Sequence, residues 1–237
     1  AAKSNAADPA PDVALSAVRL APVIPNPGKI LCVGLNYGEH VRETGREVTE
    51  HPTIFVRVAE SQVAHGDDIL LPPESSKLDY EGEILVMIGR TGRYIPEASA
   101  LQHIAGYSCF LDGSVRDYQK HSVTSGKNFW HTGAMGPWIV TPDEMGDADI
   151  PLATYVDGER RQSSTASHMI FSIARLIAYC STLTWLRPGD VIATGTPSGV
   201  AHSMTPPRWL VPGSTVEVVI GGVGTLRNDV IDEAALG

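Results

Sequence analysis

Two glutamates one residue apart, Glu81 and Glu83 in "KLDYEGEILVMIG", stand at the mouth of an unbroken apolar run from Ile84 to Ile88. The run reads as a strand buried on both faces, and side chains two apart in a strand share a face. The two carboxylates therefore lie side by side at the edge of a core. An exposed acidic strand end is the plain alternative. Buried together, two carboxylates repel, and each is costly to desolvate unless paired. Either one takes up a proton or a cation sits between them, and a hard divalent cation with oxygen ligands is the efficient solution. Asp112 ends a second apolar run, "YSCFLD", although Asp-Gly is also ordinary turn chemistry. Three acids at the ends of buried strands favour a metal. Three oxygens, with water in the remaining positions, suit Mg2+, with Mn2+ or Ca2+ as alternatives.

A second arrangement is "HVRE". His40 and Glu43, three apart on a predicted helix, share a face, and a carboxylate beside an imidazole fixes its tautomer and raises its basicity. Alone, such a pair is more often a surface feature. Lys127 in "TSGKNF" invites a phosphate-loop reading, which fails. The earlier glycine is missing, and Asn128 stands where Ser or Thr is needed. "TGTPSG" has no lysine, and the remaining histidines show no ligand spacing.

The elements that must position these groups are short. Strands are predicted over "KILCVGL", "TIFVRV", "DDILL", the Ile84–Ile88 run, "YSCFLDGSV" and "WIVT". A helix is predicted from Tyr37 to Glu43 with Gly45 as its stop, another through "IPEASALQHIAGY" with Ala98, Leu101 and Ala105 on one face, and a third from Met169 to Leu183. "LATYVDGERRQ" is a hairpin turning at Asp157-Gly158. A strand and Gly-rich loop follow in "RPGDVIATGTPSGV", and two strands close the chain. Helices do not alternate regularly with strands, so the fold class is α+β, predominantly β. Residues 1–28 read as a flexible lead-in, a remnant of a removed segment, and residues 29–237 as one domain.

Of 237 residues, 43% are hydrophobic and 19% charged, enough for a sizeable core. A net charge of -9 argues against nucleic acid as a partner. No run is apolar enough to span a bilayer, and no signal-peptide pattern is present. The 3 cysteines lie in apolar segments without metal or redox spacing, as expected of free thiols in the cytoplasm.

In order, "VGLNYGEHVRE", "DYEGEILVMIG", "AGYSCFLDGSVRDYQ", "GKNF", "GPWIVTPDE" and "LRPGDVIATGTPSGV" make a set that resembles the catalytic C-terminal domain of the fumarylacetoacetate hydrolase family, from about Lys29 to Ile231. The resemblance implies a mixed β-sandwich roll paired as a homodimer. It implies Mg2+ on Glu81, Glu83 and Asp112, with Asp79 outside the ligand set. It makes His40 and Glu43 a water-activating dyad on a lid, and Lys127 a contact to substrate oxygens. Tyr37, Arg116, Gln119 and Thr196 fall at substrate-pocket positions. The sequence departs from relatives at Leu35, where some have arginine, at Trp130 and His131, and at Met204-Thr205, where many have a basic pair. These departures concern the distal end of the substrate.

The implied reaction is hydrolysis of a carbon–carbon bond in a 2,4-dioxo acid (an acylpyruvate) to pyruvate and a carboxylic acid, His40 activating water. Decarboxylation of oxaloacetate, or isomerisation of a 2-hydroxy-dienoate or 2-oxo-enoate through His40, would use the same enolate. A small-molecule binding protein without turnover is the non-enzymatic alternative.

Overall fold

The computed structural model describes residues 13–236 except Asp147. In chain order the strands are β1 (Ile30–Gly34), β2 (Thr53–Arg57), β3 (Gln62–Val63), β4 (Ile69–Leu71), β5 (Leu78–Asp79), β6 (Gly82–Ile88) and β7 (Ile104–Leu111). They continue with β8 (Ser114–Val115), β9 (Gly133–Val140), β10 (Pro151–Val156), β11 (Glu159–Thr165), β12 (Val191–Ala193), β13 (Thr215–Ile220) and β14 (Gly224–Asp232). The α-helices are α1 (Gly38–Glu43), α2 (Val123–Lys127), α3 (Pro142–Met145) and α4 (Ile173–Leu183).

A seven-stranded mixed sheet, in the order β2-β1-β12-β6-β7-β9-β3, packs face to face on a five-stranded sheet ordered β11-β10-β13-β14-β4. The sandwich expected from the sequence is present, and strand outweighs helix. β6 explains the layering, since it is buried along its whole length. Ile84, Val86 and Ile88 enter the core between the sheets, whereas Leu85 and Met87 join Phe110 in a smaller cluster on the opposite face. Of the 1–28 lead-in, residues 1–12 lie outside the described residues, and Val23 and Ile24 pack against that smaller cluster.

Local chemistry accounts for several boundaries. Asp157 and Gly158 both adopt positive φ (53° and 77°), the geometry of a tight hairpin turn, and β10 pairs with β11 across them. α4 starts at Ile173, later than the predicted Met169. Asn36 takes up the backbone N–H groups of Ile170 and Phe171 through its own carbonyl and side-chain oxygens, and Ser172 caps the helix instead. The predicted helix after Pro96 is a 3-10 helix, Glu97–His103. Its three-residue turn brings Ala100 and His103 inward and leaves Leu101 exposed. The segment between Val115 and Gly133, read from sequence as loop, contains α2, capped by Ser122. "WIVT" proves to be only the end of β9.

Gly82, between the two glutamates, lies against Thr154 and Val218 of the facing sheet. A Cβ there would stand 2.0 Å from Thr154 Oγ1 and 3.3 Å from Thr154 Cβ. The spacing of the acids is thus tied to sandwich packing: the residue between them must point into the core, and only hydrogen fits. Gly82→Ala is expected to cost about 1–3 kcal/mol, the usual range for overpacking. Thr154→Ala in the same chain should recover part of that loss. Urea denaturation of the two single variants and the double variant checks this, strict additivity being the contrary result.

Candidate active site

The parity of β6 and β7 decides where the acids point. Glu81 and Glu83 continue the series Leu85 and Met87, and Asp112 continues from Phe110, so all three extend the face of the smaller cluster beyond its apolar part. Glu83 pairs with Phe110 across the strands, and the Asp112 N–H donates to the Glu81 carbonyl at 2.8 Å. One carboxylate oxygen from each acid lies within 4.8 Å of the other two, all three side chains being buried. This group can hold a metal ion.

The surrounding cations are unevenly shared. Lys127 Nζ bridges Glu81 (2.6 Å) and Asp112 (2.5 Å). Arg57 binds Asp112 at 2.5 Å with no solvent access to either side chain. Arg116 spans Asp79 (2.8 Å) and Glu81 (2.5 Å). Burial would raise the Glu81 pKa, but Lys127 and Arg116 bring it down to about 2. Burial would lower the Lys127 pKa, but Asp112 and Glu81 hold it above its ordinary value. Glu83 is the exception. Among the described residues no cation lies within ion-pair distance of it, and its hydrogen bond is from the Gly195 N–H at 2.8 Å. Burial, then Asp112 and Glu81, raise its pKa well above 4.5. A buried oxygen donor set with one uncompensated carboxylate fits a divalent cation.

Facing the acids, α1 carries the dyad. His40 Nδ1 lies 2.6 Å from Glu43 Oε1, and Glu43 Oε2 accepts from the Gly199 N–H at 3.0 Å. The helix ends in a Schellman motif: Gly45 (φ 65°) donates to the Arg42 carbonyl and Arg46 to the Val41 carbonyl. His40, Glu81, Glu83, Lys127, Arg116, Gln119 and Thr196 line one cavity of about 200 Å3.

Residues 29–231 match the fumarylacetoacetate (FAA) hydrolase C-terminal family. The chain belongs to this family. It is 41% identical over 223 residues to oxaloacetate tautomerase YisK of Bacillus subtilis, covering 91% of this chain and 74% of that one. It is 38% identical over 217 residues to human mitochondrial oxaloacetate tautomerase FAHD2A, covering 90% and 69%. Among solved structures, fumarylpyruvate hydrolase from Pseudomonas aeruginosa in complex with Mn2+ and pyruvate is 32% identical with a TM-score of 0.79, covering 86% of this chain and 90% of that one. A 5-carboxymethyl-2-hydroxymuconate delta-isomerase from Mycobacterium smegmatis is 36% identical, with a TM-score of 0.81 and coverage of 92% and 84%.

Within this fumarylacetoacetate hydrolase domain the remaining sequence-predicted positions differ in exposure to the cavity. Arg116 Nη1 donates to Gln119 Oε1 at 3.2 Å, so these two form a unit. Thr196 has its hydroxyl engaged, donating to the Gly82 carbonyl (3.0 Å) and accepting from Gln162 (2.8 Å). Tyr37 is not among the residues lining the cavity of Glu81 and Glu83, although burial and then Glu83 raise its phenol pKa. It is the N-cap residue of α1, its ring is buried, and it borders a separate cavity of about 280 Å3 with Arg42, Ser164 and His168.

Sequence reasoning overlooked Arg57 and Asn36, and it set Asp79 outside the ligand set without giving it a role. Asp79 is fully buried, orients Arg116, and accepts the N–H groups of Ala201 (2.8 Å) and His202 (3.0 Å). Arg57 had a visible signal, a lone cation inside the apolar strand "TIFVRV". Asn36 Nδ2 donates to the Thr194 carbonyl at 2.8 Å and so ties the start of the dyad segment to the loop that serves Glu83.

The raised pKa of Glu83 links stability to pH. The folded metal-free chain keeps a proton that the unfolded chain releases above about 4.5. That contribution is complete below 4.5 and is lost as pH rises through the folded value. In chelator, the stability of the wild type should therefore fall as pH rises from 5, by up to about 1.4 kcal/mol per pH unit within the window. Glu83→Gln should flatten this fall, and Mg2+ or Mn2+ should restore the wild type at the alkaline end. Denaturation midpoints at stepped pH, with and without metal, measure both effects.

Proposed function

We propose that the chain is a divalent-metal-dependent enzyme that shifts a proton on a short 2-oxo acid, interconverting the keto and enol forms of oxaloacetate. The observation that carries this reading is that buried His40, hydrogen-bonded to half-buried Glu43, lines one small cavity together with Glu81 and Glu83 of the acidic triad. The tautomerase names of the 38–41% identical relatives support the choice of substrate.

With Glu43 accepting from Nδ1–H, the free Nε2 of His40 is the basic atom. It removes a proton from C3 of the keto acid, the electron pair moves to the C2 oxygen, and the same proton is delivered to that oxygen to give the enol. Glu43 stabilises the imidazolium between the two transfers, and the Gly199 N–H keeps the carboxylate in register. Lys127, a charged ammonium between Glu81 and Asp112, offers positive potential to the anionic end of the substrate. When bound on Glu81, Glu83 and Asp112, a divalent cation, Mg2+ or Mn2+, supplies further positive charge for the 1-carboxylate and 2-oxo group. Asp79 positions Arg116, which with Gln119 forms the polar wall.

Hydrolysis of an acylpyruvate is the second reading. It is favoured by the likeness to fumarylpyruvate hydrolase and would use His40 to deprotonate water instead of C3. Decarboxylation of oxaloacetate would release pyruvate without a base. These reactions separate in one assay. With Mg2+ and oxaloacetate, tautomerisation changes the enol absorbance without releasing pyruvate, whereas decarboxylation releases it. With acetylpyruvate, hydrolysis gives pyruvate and acetate. Acetylpyruvate cleavage without any acceleration of oxaloacetate enolisation would replace the first reading by the second. His40→Gln is expected to lower kcat for enolisation by about 10^2- to 10^4-fold, the usual worth of a general base. A variant within threefold of wild type would remove His40 from the mechanism.

A further inference from the structure

The cavity has two unlike ends. The inner end holds the acids and Lys127. Thr44, Arg46 and His202 also line the cavity, Arg46 and His202 being exposed where Glu81, Glu83 and Lys127 are buried, so they form its solvent-facing end; the lining residue Leu35 adds no charge. Arg46 is fixed by the Schellman motif, its N–H donating to the Val41 carbonyl at 3.1 Å, so its backbone is anchored to the helical turn bearing His40 and Glu43. His202 is anchored from the other side of the mouth. Its N–H donates to Asp79 at 3.0 Å and its ring stacks on Trp209, with centroids 5.9 Å apart. Burial, then the charge of Arg116, hold the His202 imidazole below its ordinary pKa against the opposing charge of Asp79, with Lys120 and Arg46 adding to the lowering. Among the described residues no carboxylate lies within ion-pair distance of Arg46 or Lys120. Arg46 therefore brings to the cavity lining a positive charge that no carboxylate among the described residues pairs.

We propose that Arg46, with His202 beside it, binds the distal carboxylate of a dicarboxylic 2-oxo acid and so sets a preference for dicarboxylates over substrates with a neutral far end. This rests on the 2-oxo acid reading of the inner end. An arginine offers a planar fork of donors to a carboxylate, which the neutral Leu35 wall cannot. Because Arg46 is carried on the dyad segment, gripping the far carboxylate also holds C3 against His40. A substrate ending in a methyl group would lose that hold.

The test compares Arg46→Met and Arg46→Lys with wild type in Mg2+, using oxaloacetate as substrate and oxalate as a competitive probe of the inner end alone. Arg46→Met is expected to raise KM for oxaloacetate by about 10- to 100-fold, the worth of one charge-assisted hydrogen-bonded pair, with the loss falling on KM more than on kcat. Its inhibition constant for oxalate should stay within about twofold of wild type, and Arg46→Lys should recover part of the KM. An unchanged KM, or oxalate weakened as much as oxaloacetate, overturns the proposal and leaves the 2-oxo acid reading standing. A wild-type protein that neither turns over oxaloacetate nor binds oxalate overturns that reading, and the proposal falls with it.

Discussion

Glu83 is a carboxylate buried among like charges without a cation of its own, and the site is arranged around that fact. Desolvating an ion costs several kcal/mol, and the structure offsets the cost for its neighbours with fixed partners: Arg57 for Asp112, Arg116 for Glu81 and Asp79, and Lys127 for two acids at once. Glu83 receives one backbone N–H. A proton can complete the balance, or a divalent cation can do so while engaging all three acids. The cation ring confines the negative excess to one position. That localisation is what turns three acidic strand ends into a site.

The same short loop serves both halves of the chemistry. Gly195 donates to Glu83, Thr196 donates to the Gly82 carbonyl, and Gly199 donates to Glu43. The position of the dyad is therefore tied through four residues of backbone to the position of the acids. Asn36 adds a second tie, from the start of α1 to the Thr194 carbonyl. Such coupling matters because proton transfer depends on sub-ångström placement of the base relative to the carbon. A lid helix hung on exposed contacts alone would not hold that geometry.

How much was legible in the sequence depended on the range of the interactions. The Asp157-Gly158 hairpin, the Gly45 stop and the apolar β6 run rest on local rules, and each appears where expected. The alternation that put Glu81 and Glu83 on one face is equally local. What escaped were partners distant in sequence: Arg57 lies 55 residues from Asp112, and Arg116 lies 37 from Asp79. Asp79 shows the limit well. Two residues before Glu81, it stands outside the ligand set that the sequence implies, without a role. In the fold it is an acceptor for Arg116 and three backbone amides. Tyr37 shows the converse. Its motif position suggested a substrate contact; in the fold it lines a cavity with Arg42, Ser164 and His168, while burial and then Glu83 raise its phenol pKa.

The family's tautomerase, isomerase and hydrolase names fit one physical division of the cavity. The inner end stabilises negative charge on a 2-oxo acid, and each of those reactions passes through an enolate. Nothing in the acids or Lys127 distinguishes a proton leaving C3 from a carbon–carbon bond breaking there. The distinction must come from what faces C3 and C4. A water held between His40 and a 4-carbonyl gives hydrolysis, whereas a carboxylate held at the mouth leaves C3–H as the group nearest the base. In this chain Arg46, His202 and the uncharged Leu35 all line the cavity. On the proposed reading a C4 carboxylate held by Arg46 is a poor electrophile for water, whereas a longer acid with a charged far end would still present a 4-carbonyl. The charge at the entrance thus selects the substrate, and the group the substrate places at C4 selects between proton transfer and hydrolysis.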